Sequence, residues 1–418
     1  MNRPSADLAV QPGRGGLRVL LANREFRLLW LIGAASNTLR WLEILAVGVV
    51  VFDMTESPFQ VAFMVILRFL PMVVLGAVTG VVAERLNRRH FLIVALAVMG
   101  ASSSGLALLV YNDLLNLWVI AASVILNGLF WTVDNPVRRT LLGEAVRPDQ
   151  IGIAMSLDTV TNSMTRFLGP LLGGAFLAFA GLGGVFLLGA VLYFVALVLA
   201  VLVRTGSSVS RVVRSKGGII AFLSDGVHLL KTNRVVAGVL AITVIYNVWG
   251  FPFVSMIPVI GKNGLGLGPL HVGVLVSAEG AGTLIGALLV LIARTGTHYR
   301  RLYTFGLALC LVMALAYSQS GSVVSSGVFL ALEGIGAGFF AAMQAALILL
   351  NTPPALHSRV MGLLSVCVGL CTVGFLHIGL LADWVGAQNA VAISACEGLL
   401  VLLLVCWIWP EITRRQRV

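Results

Sequence analysis

Arg40, Glu43, Asp158, Arg166, Glu279 and Glu333 stand inside long apolar runs of the chain. In hydrocarbon an ionisable side chain costs ~2.5–3.5 kcal/mol on insertion scales unless it is paired or wetted, so each is a candidate for function. Arg40 and Glu43 lie three residues apart, which puts them on one face of a helix. A carboxyl held there takes up or releases a proton as its guanidinium neighbour approaches or leaves. The pair is read either as a proton carrier, Glu43, tuned by Arg40, or as a static ion pair fixing the helix. Asp158 and Arg166 are eight residues apart, about 12 Å along a helix axis, so each needs a partner elsewhere. Arg68 and Asp134 lie towards the ends of their runs and read as gating or anchoring residues. Glu397 reads as peripheral and His377 as a hydrogen-bonded packing residue.

The elements that must position these groups follow from composition. Of 418 residues 59% are hydrophobic and 11% charged, against roughly 25% charged in a soluble domain. The chain reads as an all-α integral membrane protein. Hydropathy places twelve spans near 26–52, 59–83, 90–111, 115–137, 151–179, 183–203, 235–260, 270–293, 302–319, 323–350, 359–382 and 387–409. The turn Gly80 to His90 carries Glu84, Arg85, Arg88 and Arg89, and such basic turns face the cytoplasm. With both termini inside, 24 of the 28 Lys and Arg residues fall on the cytoplasmic side and one, Lys262, on the outer side. The expected location is the plasma (inner) membrane, crossed many times. Residues 1–24 lack the apolar core of a cleavable signal and form a cytoplasmic tail.

The net charge of +11 is spread over short turns, which excludes a nucleic-acid face. All five cysteines lie in apolar runs of the second half, so no disulfide framework is implied. Metal, phosphate-loop and hydrolase motifs are missing, so the chain reads as no enzyme, with no metal and no cofactor. Trp41, Phe130, Trp131, Tyr246, Trp249, Phe251 and Phe253 either form an apolar pocket for a bulky ligand or face lipid.

Sliding the chain by 206 residues aligns Gly76 with Gly282, Gly80 with Gly286, Arg88 with Arg294 and Gly128 with Gly334. One offset held over several spans predicts two parallel six-helix halves, residues 25–203 and 235–410. Between them, 204–234 carries Ile219, Ile220, Leu223, Val227 and Leu230 at helical spacing, expected as an amphipathic helix on the inner membrane surface. Residues 411–418 form a second cytoplasmic tail.

The turn Gly80 to Arg89 resembles the signature loop of the major facilitator superfamily, with Glu84 for an Asp and Asn87 for a Gly. Asn87 is expected to supply the left-handed backbone of that Gly. The resemblance implies two pseudo-symmetric bundles and a cytoplasmic gate in which Glu84 and Arg88 meet Asp134; the alternative is that these charges only anchor the turn on the inner side. Gly169, Pro170, Gly173 and Gly174 in span five resemble the motif of the superfamily's exporters, with Thr165 in place of its first Gly. Pro170 should kink the helix, and Gly169 and Gly173 form a small face for close packing. Thr55 to Pro58, Arg68 to Pro71, Pro136 to Leu142 and Asp225 to Arg234 are similar to the third drug:proton antiporter group, with its macrolide and enterobactin-type exporters. In this superfamily spans one and ten face the cavity, which ranks Glu333 first among the second-half carboxyls.

The resemblance implies a proton-coupled antiporter exporting amphipathic small molecules, with protons and membrane lipids as its other partners and a monomer as the working unit. A dedicated siderophore or lipid exporter is one alternative. A non-transporting sensor or scaffold on the same fold is another, disfavoured because a scaffold has no need of carboxylates in hydrocarbon.

Overall fold

A computed structural model of the chain describes residues 16–85, 87–147, 150–204, 233–293, 298–353 and 357–413. Each expected span falls on helix. The first four are Arg24–Thr55, Pro58–Arg85, Arg88–Tyr111 and Leu117–Glu144. Spans five and six form one 52-residue helix, Ile151–Leu202, about 78 Å long at 1.5 Å per residue and too long for a single crossing. Gly181 breaks it with φ 63° and ψ −171°, a backbone that a residue bearing a Cβ rarely adopts, at the expected turn. Span seven starts as Arg234–Ile245 and continues through π-helical and 3-10 turns to Gly264. Pro269–Ala293, Tyr299–Ser318 and Val323–Leu350 follow; span eleven is His357–Gly369 and Cys371–Val385, broken at Leu370, and span twelve is Ala387–Ile408. Among the described residues nine helices are long and apolar enough to cross a membrane. Phe179, Phe194, Trp384, Leu403 and Trp407 are exposed on their outer faces, where a bilayer and not water is the compatible solvent.

Helix starts are set by local chemistry. Asn23, Asn87, Asn116 and Asn233 each accept, through the side-chain oxygen, a backbone N–H of the following first turn, satisfying a donor the helix leaves open. This corrects the expectation for Asn87. Its backbone is extended (φ −66°, ψ 108°), and it caps span three by accepting from His90 N instead of supplying a left-handed turn. The N-terminal tail is also more structured than expected, because Gly16–Ala22 is helical and its Leu20 is fully buried in the core of the first half. The expected linker helix with Ile219 and Leu230 lies outside the described residues.

The two halves repeat one tie. Asn23 Nδ2 donates to Ala145 O, and Asn233 Nδ2 donates to Asn351 O, both at 2.7 Å. Positions 145 and 351 are separated by the same 206 residues found in the sequence. Gly128 packs on the Arg68 carbonyl of span two, and Gly334 packs on span eight at Glu279.

The halves meet at the end of the bundle away from the chain termini. Asp383 of span eleven accepts from Ser57 Oγ (3.2 Å) and Phe59 N (3.1 Å), and Lys262 pairs with Asp53. Spans five and eight cross nearly backbone to backbone: a Cβ on Gly174 would lie 2.6 Å from Pro269 O, and one on Gly273 would lie 2.7 Å from Pro170 O. These contacts close the bundle from the turn end down to mid-depth.

Candidate functional site

Below that closure lies a cavity of about 310 Å³ between the halves. Aromatic rings dominate its walls. Phe69 of span two meets Trp131 edge-on (5.9 Å between centroids) and stacks near Phe375 of span eleven (6.1 Å). Phe251 reaches Phe375 at 5.6 Å, and Tyr246 stacks on Phe340 at 4.1 Å. The aromatic surface is therefore continuous from one half to the other. Of the expected aromatics, Trp41, Trp131, Tyr246 and Phe251 line this cavity. Phe253 is buried instead in a core cluster shared by both halves, and Trp249 donates to Glu397. Phe69, Phe340 and Phe375 were not singled out from sequence, since nothing in a lone Phe on an apolar helix separates cavity from lipid.

The backbone of the cavity's helices is opened by proline. Pro170 has no N–H to give the Arg166 carbonyl, and Gly280 of span eight packs on that carbonyl, where its Cβ would come within 2.6 Å. Pro252 leaves the Val248 carbonyl without its helical donor, and Gly374 of span eleven packs there. The motif Gly169 to Gly174 thus has a packing role: Gly169 and Gly173 abut Trp41 and Leu42 of span one, while Gly174 abuts span eight.

Four charged pairs organise the interior, and only part of this was expected. Arg40 does not pair with Glu43. Arg68 does, by one contact of 3.5 Å between Nη2 and Oε2. The Arg40 guanidinium instead stacks over Trp131 (4.7 Å) and Trp41 (5.4 Å) and donates to Asn162 Oδ1 at 3.3 Å. Aromatic faces and an amide of span five hold it away from the carboxyl one turn along. Arg68, read from sequence as a gating or anchoring residue, lines the cavity. Arg166 crosses between the halves to Glu279 through two parallel contacts, Nε to Oε2 at 3.0 Å and Nη2 to Oε1 at 2.5 Å, and Thr283 Oγ1 donates to the same carboxylate. Asp158 accepts from Arg138 (2.7 Å) and Arg139 (3.0 Å), so it is clamped away from the cavity. Arg138 is buried over Gly33 because span four runs on to Glu144, well past the expected 137. Its spacing of four from Asp134 was the available signal.

Glu333 does not line the cavity. It is buried behind span eight, next to Gly334, and its Oε2 has no hydrogen-bond partner among the described residues. Glu397 is half-buried and bound by Trp249 Nε1 (3.0 Å) and His377 Nε2 (2.7 Å), which ties His377 into packing between spans eleven and twelve.

The expected gate residues separate. Gly80, Glu84 and Arg85 sit at the end of the Pro58–Arg85 helix, and their side chains lie outside the described residues. Arg88 pairs with Glu144, and Arg89 donates to Val201 O at 2.7 Å. Asp134 is ten residues from Glu144, about 15 Å deeper along the same helix, so it is the carboxylate at the helix end that reaches Arg88. Asp134 faces an internal chamber in the first half instead.

The family model described as transmembrane secretion effector matches residues 19–413. The chain belongs to that family. This transmembrane secretion effector is 22% identical to the macrolide efflux protein A of Streptococcus pyogenes over 400 residues, covering 93% of this chain and 97% of that one. It is 25% identical over 419 residues to an uncharacterized MFS-type transporter, YfiS, of Bacillus subtilis, covering 96% and 95%. Among solved structures, a nucleoside transporter NupG mutant superposes with a TM-score of 0.75 at 10% identity, covering 92% of this chain and all of that one. A bacterial homolog of the human lysosomal transporter Spinster, inward-facing and unoccupied, superposes with 0.69 at 13% identity, covering 93% and 97%. The secretion effector therefore has the major facilitator fold and is a multi-pass membrane transporter, not an enzyme.

Proposed function

We propose that the chain exports bulky amphipathic compounds, macrolides among them, in exchange for protons. The observation that carries this reading is the cavity at mid-depth between the halves, walled by aromatic rings, with the Glu43–Arg68 and Arg166–Glu279 pairs at its edge. Rings offer an adaptable apolar surface, and a few convergent polar groups orient what binds. A volume of about 310 Å³ is at the low end of ligand pockets (~300–1,000 Å³), so a large substrate enters as the terminus end widens. Glu43 is the proton carrier best supported by geometry. Asp158 and Glu279 are each held by two guanidinium contacts, whereas Glu43 has one long contact that is easily exchanged.

The reading is tested in efflux-deficient bacteria. Cells producing the chain should hold less macrolide than cells without it, and a protonophore should erase the difference. Equal content in both cells sinks the substrate class; a difference that survives the protonophore sinks the coupling.

With both termini cytoplasmic, the observed arrangement is closed to the outside. Membrane-impermeant thiol reagents should label a Cys placed at Asn112 or Gly321 of intact cells and spare one placed at Ser208 or Thr297. Labelling at all four would reverse or void this orientation.

A further inference from the structure

We propose that a small chamber inside the first half is an internal proton site, in which Asp134 exchanges a proton with Glu43 through a bound water while Arg68 switches between the two carboxyls. The inference rests on the proton-driven reading above and gives it a second residue. The chamber measures about 20 Å³ and lies among spans one, two, three, four and six. Five of its lining residues carry a buried polar atom with no hydrogen-bond partner among the described residues: Ser36 Oγ, Asn127 Oδ1, Trp131 Nε1, Asp134 Oδ1 and Tyr193 OH. A buried polar group left unpaired costs about 1–3 kcal/mol. Water relieves that cost where a polar cavity offers at least ~10–15 Å³ and two to four partners. The chamber meets both conditions.

The charged groups facing Asp134 come from three helices: Arg40 from span one, Arg68 from span two and Arg138 from its own helix. Tyr193 of span six adds a phenol, Met99 of span three adds no charge, and Asp158 is taken up by Arg138 and Arg139. Arg40 and Arg68 also line the central cavity, so their guanidiniums form the wall between the two spaces. Glu43 lines neither space: its Oε2 meets Arg68 of that wall, and its Oε1 has room inside the first half because span six carries Gly189 beside it.

In the observed arrangement Arg68 pairs with Glu43, which assigns the carboxylate to Glu43 and the proton to Asp134. An occupant that takes the exposed face of Trp131 displaces the Arg40 guanidinium towards Asp134. The Asp134 O–H bond then breaks, the water takes the proton and passes one to Glu43, and Arg68 crosses to the new carboxylate. Glu43 opens to the cavity and releases the proton there. Substrate and proton thereby exclude one another, as antiport requires.

Infrared difference spectroscopy of the full chain in liposomes tests this. Without substrate, the wild type should show a protonated-carboxyl band that Asp134→Asn removes and Glu43→Gln retains; adding erythromycin should reduce it. Tyr193→Phe and Asn127→Ala, which change no charge, should shift its frequency and guard against a folding defect in Asp134→Asn. A band that survives Asp134→Asn, no band at all, or a frequency unmoved by both neutral variants overturns the site. A wild type that shows the Asp134 band yet moves no protons with erythromycin overturns the proton-driven reading instead.

Discussion

Glu43→Gln should reduce pH-driven accumulation of macrolide in vesicles to the level of vesicles without protein, while downhill exchange of macrolide continues. Gln keeps the size and hydrogen bonding of a protonated Glu but cannot release a proton. An antiporter needs one group whose proton affinity differs between its two open states. In the proposed exchange Arg68 provides that difference for Glu43. Paired at 3.5 Å it favours the carboxylate, and once it leaves, burial favours the acid. Exchange of substrate for substrate needs no net proton movement, so it isolates coupling from binding and folding. Asp158→Asn and Glu279→Gln are the comparisons. If Glu43→Gln keeps full pH-driven accumulation while one of these loses it, the carrier is misplaced.

The second large effect falls on the Arg166–Glu279 pair. Removing one partner leaves the other charge buried alone, at a cost of about 3–5 kcal/mol. Because the pair joins the halves, that cost falls on the closed arrangement. Its population relative to the open one should drop by roughly two to three and a half orders of magnitude, at tenfold per ~1.4 kcal/mol. Spin labels at Met54 and Trp384, both exposed at the turn end, should move apart in Arg166→Ala and in Glu279→Gln. The charge swap Arg166→Glu with Glu279→Arg should bring them back. Unchanged distances in both single variants would reduce the pair to an ornament of the cavity wall.

Much of the fold was legible because hydrocarbon leaves few options. Apolar runs marked the helices, and an offset of 206 matched a tie at Ala145 that recurs at Asn351. Partners across helices were not legible. Arg40 and Glu43 share a face by spacing, but Trp131 and Asn162, some ninety and one hundred and twenty residues later, decide where the Arg40 guanidinium goes. Asp134 looked like a gate residue because a span end was drawn at 137; the helix runs to Glu144, which moves Asp134 inwards and gives Arg88 a different carboxylate. Glu333 ranked high because its span faces the cavity, yet Gly334 pulls that turn against span eight and turns Glu333 away. The glycines of span five were read as a motif, and their physical content is close approach to spans one and eight.

The most direct test of proton-driven export is macrolide movement in proteoliposomes holding only this chain. Sealed vesicles are given an acidic interior and a neutral bath, with the inward-facing orientation separated from its opposite by labelling a Cys at Asn112. Erythromycin should accumulate inside against its own gradient in vesicles whose cytoplasmic face is outward, and nigericin, which collapses the pH difference, should release it. Accumulation that ignores nigericin, or none at all in vesicles that still exchange erythromycin, would contradict proton-driven export.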